Sequence, residues 1–255
     1  MGYLRLRQIC LVARKLEPVV GQLTAVLDIA VGFRDPAVAT YGLENAVMPV
    51  GTTFLEVVAP TRPGTTAERY VERRGGDGGY MVILDCDDPA PWRAHLAAIG
   101  VRIANPIVYQ DYVGLQIHPR DSGGAMLEIN HTPGGADPTG PYHPAGKDWR
   151  AFVRDARVKG IAGAVLQSTE SDALAHRWGK ILRRPIARVG EDCRLALDSG
   201  YVRFVADQDG RGEGLGGVDL DVADWSAVEK AARDRGLDVR GDAVEICGTR
   251  FRAAR

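Results

Sequence analysis

An internal repeat constrains this chain more than any other feature. PWRAHLAAIGVRI, from Pro91 to Ile103, and WSAVEKAARDRGLDV, from Trp225 to Val239, share one pattern: a Trp at the opening, an amphipathic run, a Gly, then a β-branched strand start. Gly in that place is a helix terminator, because it adopts the left-handed conformation without steric cost. Each stretch follows a short alternating strand that ends in acids, GYMVILDCDD (79–88) and GGVDLDVAD (216–224). Two longer copies complete the set. One predicts a strand at 7–13 and a helix at 17–27; the other predicts a strand at 161–167 and a helix at 171–182, with Ser168 or Thr169 as N-cap. Short strands follow at 52–58, 115–118, 125–130, 194–197, 201–206 and 244–246. The unit is βαβββ, present four times, which makes the chain α+β.

The stretch TPGGADPTGPYHPAGKDWR, Thr132 to Arg150, is rich in Gly and Pro and has no apolar period. It reads as a linker or a draped loop. The expected division is a first domain at 1–132, a linker at 133–151 and a second domain at 152–255. The 255 residues carry 32 Lys and Arg against 33 Asp and Glu, a formal net charge of -1, with the charges interspersed. That balance argues against a nucleic-acid surface. No apolar run approaches the roughly 20 residues that cross a bilayer, and the first residues lack the apolar core of a signal peptide. The expectation is a cytoplasmic protein, monomer or homodimer, with a small-molecule ligand. Cys10, Cys86, Cys193 and Cys247 are far apart and read as reduced core thiols.

Strand alternation separates a helix-covered face from a concave face. In the first strand Ile9 and Leu11 go to the core, leaving Gln8, Cys10 and Val12 in the cup. In FLEVV, Leu55 and Val57 are core while Phe54, Glu56 and Val58 face inward. In YMVILD, Val82 and Leu84 are core and Met81, Ile83 and Asp85 face inward; Tyr80 takes core parity. In MLEIN, Leu127 and Ile129 are core and Met126, Glu128 and Asn130 face inward. The first cup therefore gathers Gln8, Glu56 and Glu128 among apolar residues, the usual make-up of a small-molecule pocket. A solvated sheet face bearing two glutamates is the alternative.

The stretches RQICLVARKLEP, TTFLEVVAP, GGYMVILDCDDP and IHPRDSGGAMLEINH resemble the vicinal oxygen chelate superfamily, which includes glyoxalase I, methylmalonyl-CoA epimerase, extradiol dioxygenases and bleomycin-resistance proteins. The resemblance covers both halves and is clearest from Leu6 to His131. It implies two glyoxalase-like domains of paired βαβββ modules with cupped mixed sheets, the second domain degenerate. It also implies four metal-holding strand positions, here Gln8, Glu56, Met81 and Glu128. One type of glyoxalase I places Gln, Glu, His and Glu there, so Met81 stands where a histidine would. The implied cofactor is a divalent metal such as Zn, Ni, Co or Mn on Gln8, Glu56 and Glu128, although a thioether suits soft ions instead.

The resemblance implies a lyase or isomerase acting on a small carbonyl or acyl compound by proton abstraction. Glu56 and Glu128 would serve as catalytic base and ligand, and Cys10, Phe54, Met81, Ile83, Met126, Asn130 and His118 would line the substrate. A non-catalytic binding protein of the bleomycin-resistance type is the rival, and a cup that serves only as an interface is a third reading. His95 and His176 fall on predicted helices and read as packing or surface residues, whereas His118 and His131 can line the rim. Asp85 reads as helix N-terminal charge. The cluster Gly75, Gly76, Gly78 and Gly79 precedes a strand and is no phosphate loop. Tyr41 to Asn45 reads as a hairpin turn. In the second half the positions matching the site are approximately Gly163, Val205 and Gly217.

Overall fold

The computed structural model describes residues 2–254. The first half runs β1 (Leu4–Val12), α1 (Leu16–Leu27), β2 (Leu43–Val50), β3 (Thr53–Pro60), α2 (Thr66–Arg74), β4 (Gly78–Cys86), α3 (Ala90–Ala98), β5 (Ile103–Tyr109), β6 (Tyr112–Ile117), the one-turn α4 (Pro119–Ser122) and β7 (Met126–His131). The second half runs β8 (Val158–Ser168), α5 (Ser171–Leu182), β9 (Ile186–Val189), β10 (Asp192–Ala196), β11 (Tyr201–Ala206), β12 (Gly214–Val222), α6 (Trp225–Arg233), β13 (Val239–Arg240), β14 (Ala243–Ile246) and β15 (Thr249–Ala253). Four βαβββ modules are present. In the first, the leading strand after the helix is reduced to a bridge between Phe33 and Val47.

Modules one and two build a seven-stranded sheet of order β2-β3-β1-β4-β7-β6-β5. Modules three and four build an eight-stranded sheet of order β13-β14-β15-β12-β8-β11-β10-β9. Both are mixed: β1 runs parallel to β3 and antiparallel to β4, and β8 runs parallel to β11 and antiparallel to β12. The helix-side residues of both sheets, among them Ile9, Leu11, Leu55, Leu127, Leu166, Phe204 and Phe251, join the helices in one continuous core. The two sheets therefore present their other faces away from a shared interior. At the junction Gly79 lies so close to the Leu215 carbonyl that a Cβ would collide with backbone, so only glycine permits that approach.

Two segments cover the concave face of the first sheet. Sequence reasoning did not anticipate α2, yet its start is well encoded. The Thr65 side chain accepts from the Glu68 N–H and the Glu68 carboxylate accepts from the Gly64 N–H, a variant of the capping box. Gly75, at φ 76°, closes the helix. Ala67 and Val71 on α2 pack on Cys10, Val12, Val58, Tyr80, Met81 and Ile83. The second cover is the Gly- and Pro-rich segment after β7, which is draped across the sheet. Its Tyr142 stacks on Phe54 at 4.7 Å and its Trp149 meets Phe54 edge-on at 5.1 Å.

Several local expectations are corrected. Residues 36–41 form a 3-10 turn that runs into β2 at Leu43, so Tyr41 to Asn45 is no hairpin. The N-cap of α5 is Glu170, and Ser168 supports it by accepting from the Glu170 N–H. Tyr80 lies on the concave side, packed with Tyr70, because the β1–β4 register slips between Cys10 and Leu11 and leaves Tyr80 as the bulged residue. Among the described residues no helix is long and apolar enough to cross a membrane.

Candidate functional site

The sheet register sets the site. Cys10 faces Glu56 on one side and Met81 on the other; Gln8 faces Ile83, and Ile83 faces Glu128. Gln8, Glu56 and Glu128 thus share the concave face within one curled stretch of sheet. All three are nearly sealed, with exposures of 1%, 8% and 4%. A charged group at that depth requires hydrogen-bond partners.

Each carboxylate has a dedicated set of donors. The Glu56 carboxylate accepts from Gln8 Nε2 and Asn45 Nδ2, both at 2.7 Å, and the Cys10 thiol lies against it. The Glu128 carboxylate accepts from the Tyr112 hydroxyl at 3.0 Å, Gln116 Nε2 at 2.9 Å and Asn130 Nδ2 at 3.1 Å. Burial raises the Glu56 carboxyl above the ordinary range. Its hydrogen bonds pull the other way, and the negative charge of Glu128 adds to the rise. Burial beside Glu128 drives the Tyr112 hydroxyl well above its usual value, and burial does the same to the Cys10 thiol. Cys10 is therefore no nucleophile at neutral pH. Among the described residues two buried acceptors have no hydrogen-bond partner, Gln8 Oε1 and Asn130 Oδ1.

One end of the cup is closed by a charge cluster. Arg5 forms a two-bond pair with Asp85 and donates to the Gly135 and Ala136 carbonyls. Arg7 donates to the carbonyls of Thr52 and Pro138, lies 3.9 Å from Asp85, and sits over the rings of Phe54 and Tyr142. Asp85 is 3% exposed. Its role is to neutralise two buried arginines that hold the draped segment, which replaces the reading of helix N-terminal charge.

The structure places the other expected residues as follows. Met81, Ile83 and Met126 line the apolar floor beside the glutamates. Phe54 is covered by Tyr142 and Trp149 and offers no free surface to a ligand. Asn130 orients Glu128. The ring of His118 caps α4, Nδ1 accepting from the Arg120 N–H, and lines a cleft at the mouth of the cup. His131 contacts the Cys86 carbonyl and His95 the Lys180 carbonyl. Sequence reasoning missed Asn45, Tyr112, Gln116 and Tyr142. Asn45 and Tyr142 carried no signal apart from polar or aromatic identity near the cup strands, whereas Gln116 lies in the expected strand at 115–118, between the core residues Leu115 and Ile117, and alternation places it in the cup. Tyr112 opens β6 at a position that alternation would have placed, had the strand been recognised from residue 112.

The donor chemistry does not suit the Zn, Ni or Co named above. Among the described residues no group of three or more His, Cys, Asp or Glu is disposed to hold a metal ion. Gln8 turns its amide nitrogen, not its oxygen, toward Glu56, both carboxylates are occupied by donors, and the fourth position offers the Met81 thioether. An oxygen-only set favours harder ions such as Mn.

No family model matches the sequence, and no curated protein matches it. Solved structures do. A hypothetical protein from Staphylococcus aureus is 14% identical and covers 98% of this chain and 99% of its own, with a TM-score of 0.66. A mutant of 4-hydroxymandelate synthase from Streptomyces coelicolor is 18% identical over 93% of this chain and 76% of its own, with a TM-score of 0.65. Methylmalonyl-CoA epimerase from Streptomyces coelicolor, in complex with 2-nitronate-propionyl-CoA, is 18% identical and spans 51% of this chain with a TM-score of 0.47. The fold is a tandem glyoxalase-like α+β fold.

Proposed function

We propose that the first cup is a proton-transfer site of lyase or isomerase type, acting on a small carbonyl or acyl compound with Glu56 as base. The observation that carries this reading is the desolvated Glu56 carboxylate, raised above its ordinary range and set opposite Glu128. A carboxyl moved toward working pH can both take and return a proton. Removal of a proton beside a carbonyl leaves the electron pair delocalised onto the carbonyl oxygen. Return of the proton to the other face isomerises the compound, whereas departure of a neighbouring group eliminates it. The amides of Gln8 and Asn45 are neutral donors to the base, both at 2.7 Å, and rotation of the Gln8 amide would present its nitrogen to a developing oxyanion. Gln8 Oε1 and Asn130 Oδ1 suit a ligand that brings hydroxyl or N–H donors. The donor set fits Zn, Ni and Co poorly, and the proton transfer rests on the side chains themselves.

The test is hydrogen exchange. Wild-type protein is incubated in D2O with a panel of small 2-oxo and acyl compounds and followed by NMR. Deuterium entering the carbon beside a carbonyl, and lost in Glu56→Gln, is the expected result. A panel that binds without exchange in the wild type refutes catalysis.

A second reading, a non-catalytic binding protein, is favoured by a separate observation: α2 and the draped segment already occupy much of the cup, and all carboxylate oxygens are engaged. Stabilisation in a thermal-shift screen by apolar organic compounds, with no exchange of any of them, is its signature.

A further inference from the structure

We propose that the cleft at the mouth of the first cup binds the phosphate group of a small organic phosphate, with the organic body resting against Tyr70, Tyr80 and Met126. The cleft has a volume of about 730 Å³ and lies between α2, the turn from His118 to Met126, and residues 211–213 of the second half. That size suits a small ligand, pockets for which hold roughly 300–1,000 Å³. Five guanidinium side chains line it, Arg69, Arg73, Arg74, Arg120 and Arg211, against one carboxylate, Glu213.

These charges are not all spent within the protein. Arg211 is used up, pairing with Asp209 and donating to the Asp77 and Gly248 carbonyls. Arg69 donates to Gly64 and Thr66. Arg73, by contrast, has only the ring of Tyr70 beneath it, and the Arg120 guanidinium has no ion pair or hydrogen bond among the described residues. Arg74 is 6% exposed. Its Nη1 donates to the carbonyls of Arg211, Gly212 and Glu213, while Nε and Nη2 are buried without a hydrogen-bond partner. Two acids stand nearby: Asp209 lies 3.8 Å from Nη2, beyond hydrogen-bond reach, and is already engaged by Arg211 and Gln167, while Glu213 already accepts from the Gly124 N–H and the Ser168 hydroxyl. A buried guanidinium with N–H groups that make no hydrogen bond, beside two exposed guanidiniums without an acidic partner, favours an anion that accepts several hydrogen bonds at once. Phosphate does this with tetrahedrally arranged oxygens.

The apolar side of the cleft distinguishes an organic phosphate from the bare ion. Tyr70 and Tyr80 meet edge to face at 5.0 Å, and Met126 begins the strand that carries Glu128 two residues further on. The limited extent of the cleft, together with a net charge of -1 for the whole chain, argues against a nucleic-acid track, which would need an extended basic stripe. The inference stands apart from catalysis at Glu56, since it concerns binding alone.

Isothermal titration of the whole protein with phenyl phosphate and with inorganic phosphate, at low and moderate salt, tests it. Phenyl phosphate is expected to bind more tightly than inorganic phosphate and to weaken as salt rises. Arg73→Ala and Arg120→Ala should each lose at least about tenfold in affinity, the lower end for a charge-assisted hydrogen bond. Both positions are exposed, so folding should survive, as circular dichroism would verify. Absence of binding in the wild type, equal affinity for the two phosphates, unchanged affinity in the double variant, or binding of a single-stranded oligonucleotide without phenyl phosphate would each overturn the proposal. Deuterium exchange at the Glu56 site is read separately, so either result can fail alone.

Discussion

The two cups share one topology but place opposite charges at matching positions. Gln8 and Gly163 lie the same distance before the helices that start at Leu16 and Ser171, which aligns β1 with β8. Cys10 then corresponds to Val165, and the residue facing Val165 on β11 is Arg203, where Cys10 faces Glu56. The counterpart of Glu56 is thus Arg203 rather than Val205. Met81 corresponds to Gly217. By the same register Ile83 corresponds to Asp219, whose neighbour on β15 is Arg252, the counterpart of Glu128. Two buried glutamates in one half are two arginines in the other.

Their surroundings differ as well. Glu56 and Glu128 are served by neutral amides, a thiol and a phenol. Arg203 is held by carboxylates, Asp219 on one side and Asp192 on the other, and Tyr201 also donates to Asp219. Neutral donors leave the first cup with two desolvated carboxyl groups and no counter-charge bonded to either. Ion pairs leave the second cup compensated. A fold can therefore keep its register while exchanging its chemistry.

The contrast can be broken most forcefully at the clamps. Asp85→Ala would leave Arg5 and Arg7 buried without a counter-charge, and breaking such a pair costs about 3–5 kcal/mol; urea denaturation should show a lowered midpoint of that order.

A smaller gain comes from restoring a metal ligand. Met81→His should let Zn or Ni raise the melting temperature, by about 2.7 kcal/mol of stability at a hundred times Kd, whereas the wild type should show no such shift. Thermal denaturation with and without metal decides it.

Next is the titration of Glu56. Its folded carboxyl is raised above the unfolded value, so the folded state holds the proton more tightly. The favourable contribution is present below the unfolded pKa and is lost as pH rises through the folded one, leaving a charge penalty at neutral pH. Glu56→Gln removes that dependence, and Gln8 can turn its free Oε1 to the new amide. Denaturation at pH 4 and pH 7 should show the variant gaining on the wild type at the higher pH, by about 1.4 kcal/mol for each unit of displacement. The smallest effect belongs to the second cup. Asp192→Ala leaves Arg203 paired with Asp219, and with the Asp192 side chain 31% exposed the loss should stay under about 1 kcal/mol by the same denaturation.

Much of the fold was legible because it rests on local pattern. The alternation of Ile9 and Leu11 against Gln8, Cys10 and Val12 matches the separation of core and cup residues, and the α5 range at 171–182 was read to the residue. Parity fails at bulges. The slip that turns Tyr80 into the cup, and a second between Leu6 and Gln8 beside Arg7, depend on how β1 pairs with β4, which no single strand encodes. The helix α2 was missed although Thr65 and Glu68 mark its start, because its apolar face amounts to little beyond Ala67, Tyr70 and Val71.

The sequence by itself determined the four modules, the strand faces and the presence of Gln8, Glu56 and Glu128 in one cup, because period and turn chemistry act between neighbours in the chain. Only the tertiary structure decided that Asn45, Tyr112, Gln116 and Asn130 would occupy those carboxylates, that a Gly- and Pro-rich segment would cover Phe54, and that arginines of both halves would meet in one cleft. These are long-range meetings, fixed by how curled sheets and loops pack against a common core, and local pattern carries no record of them.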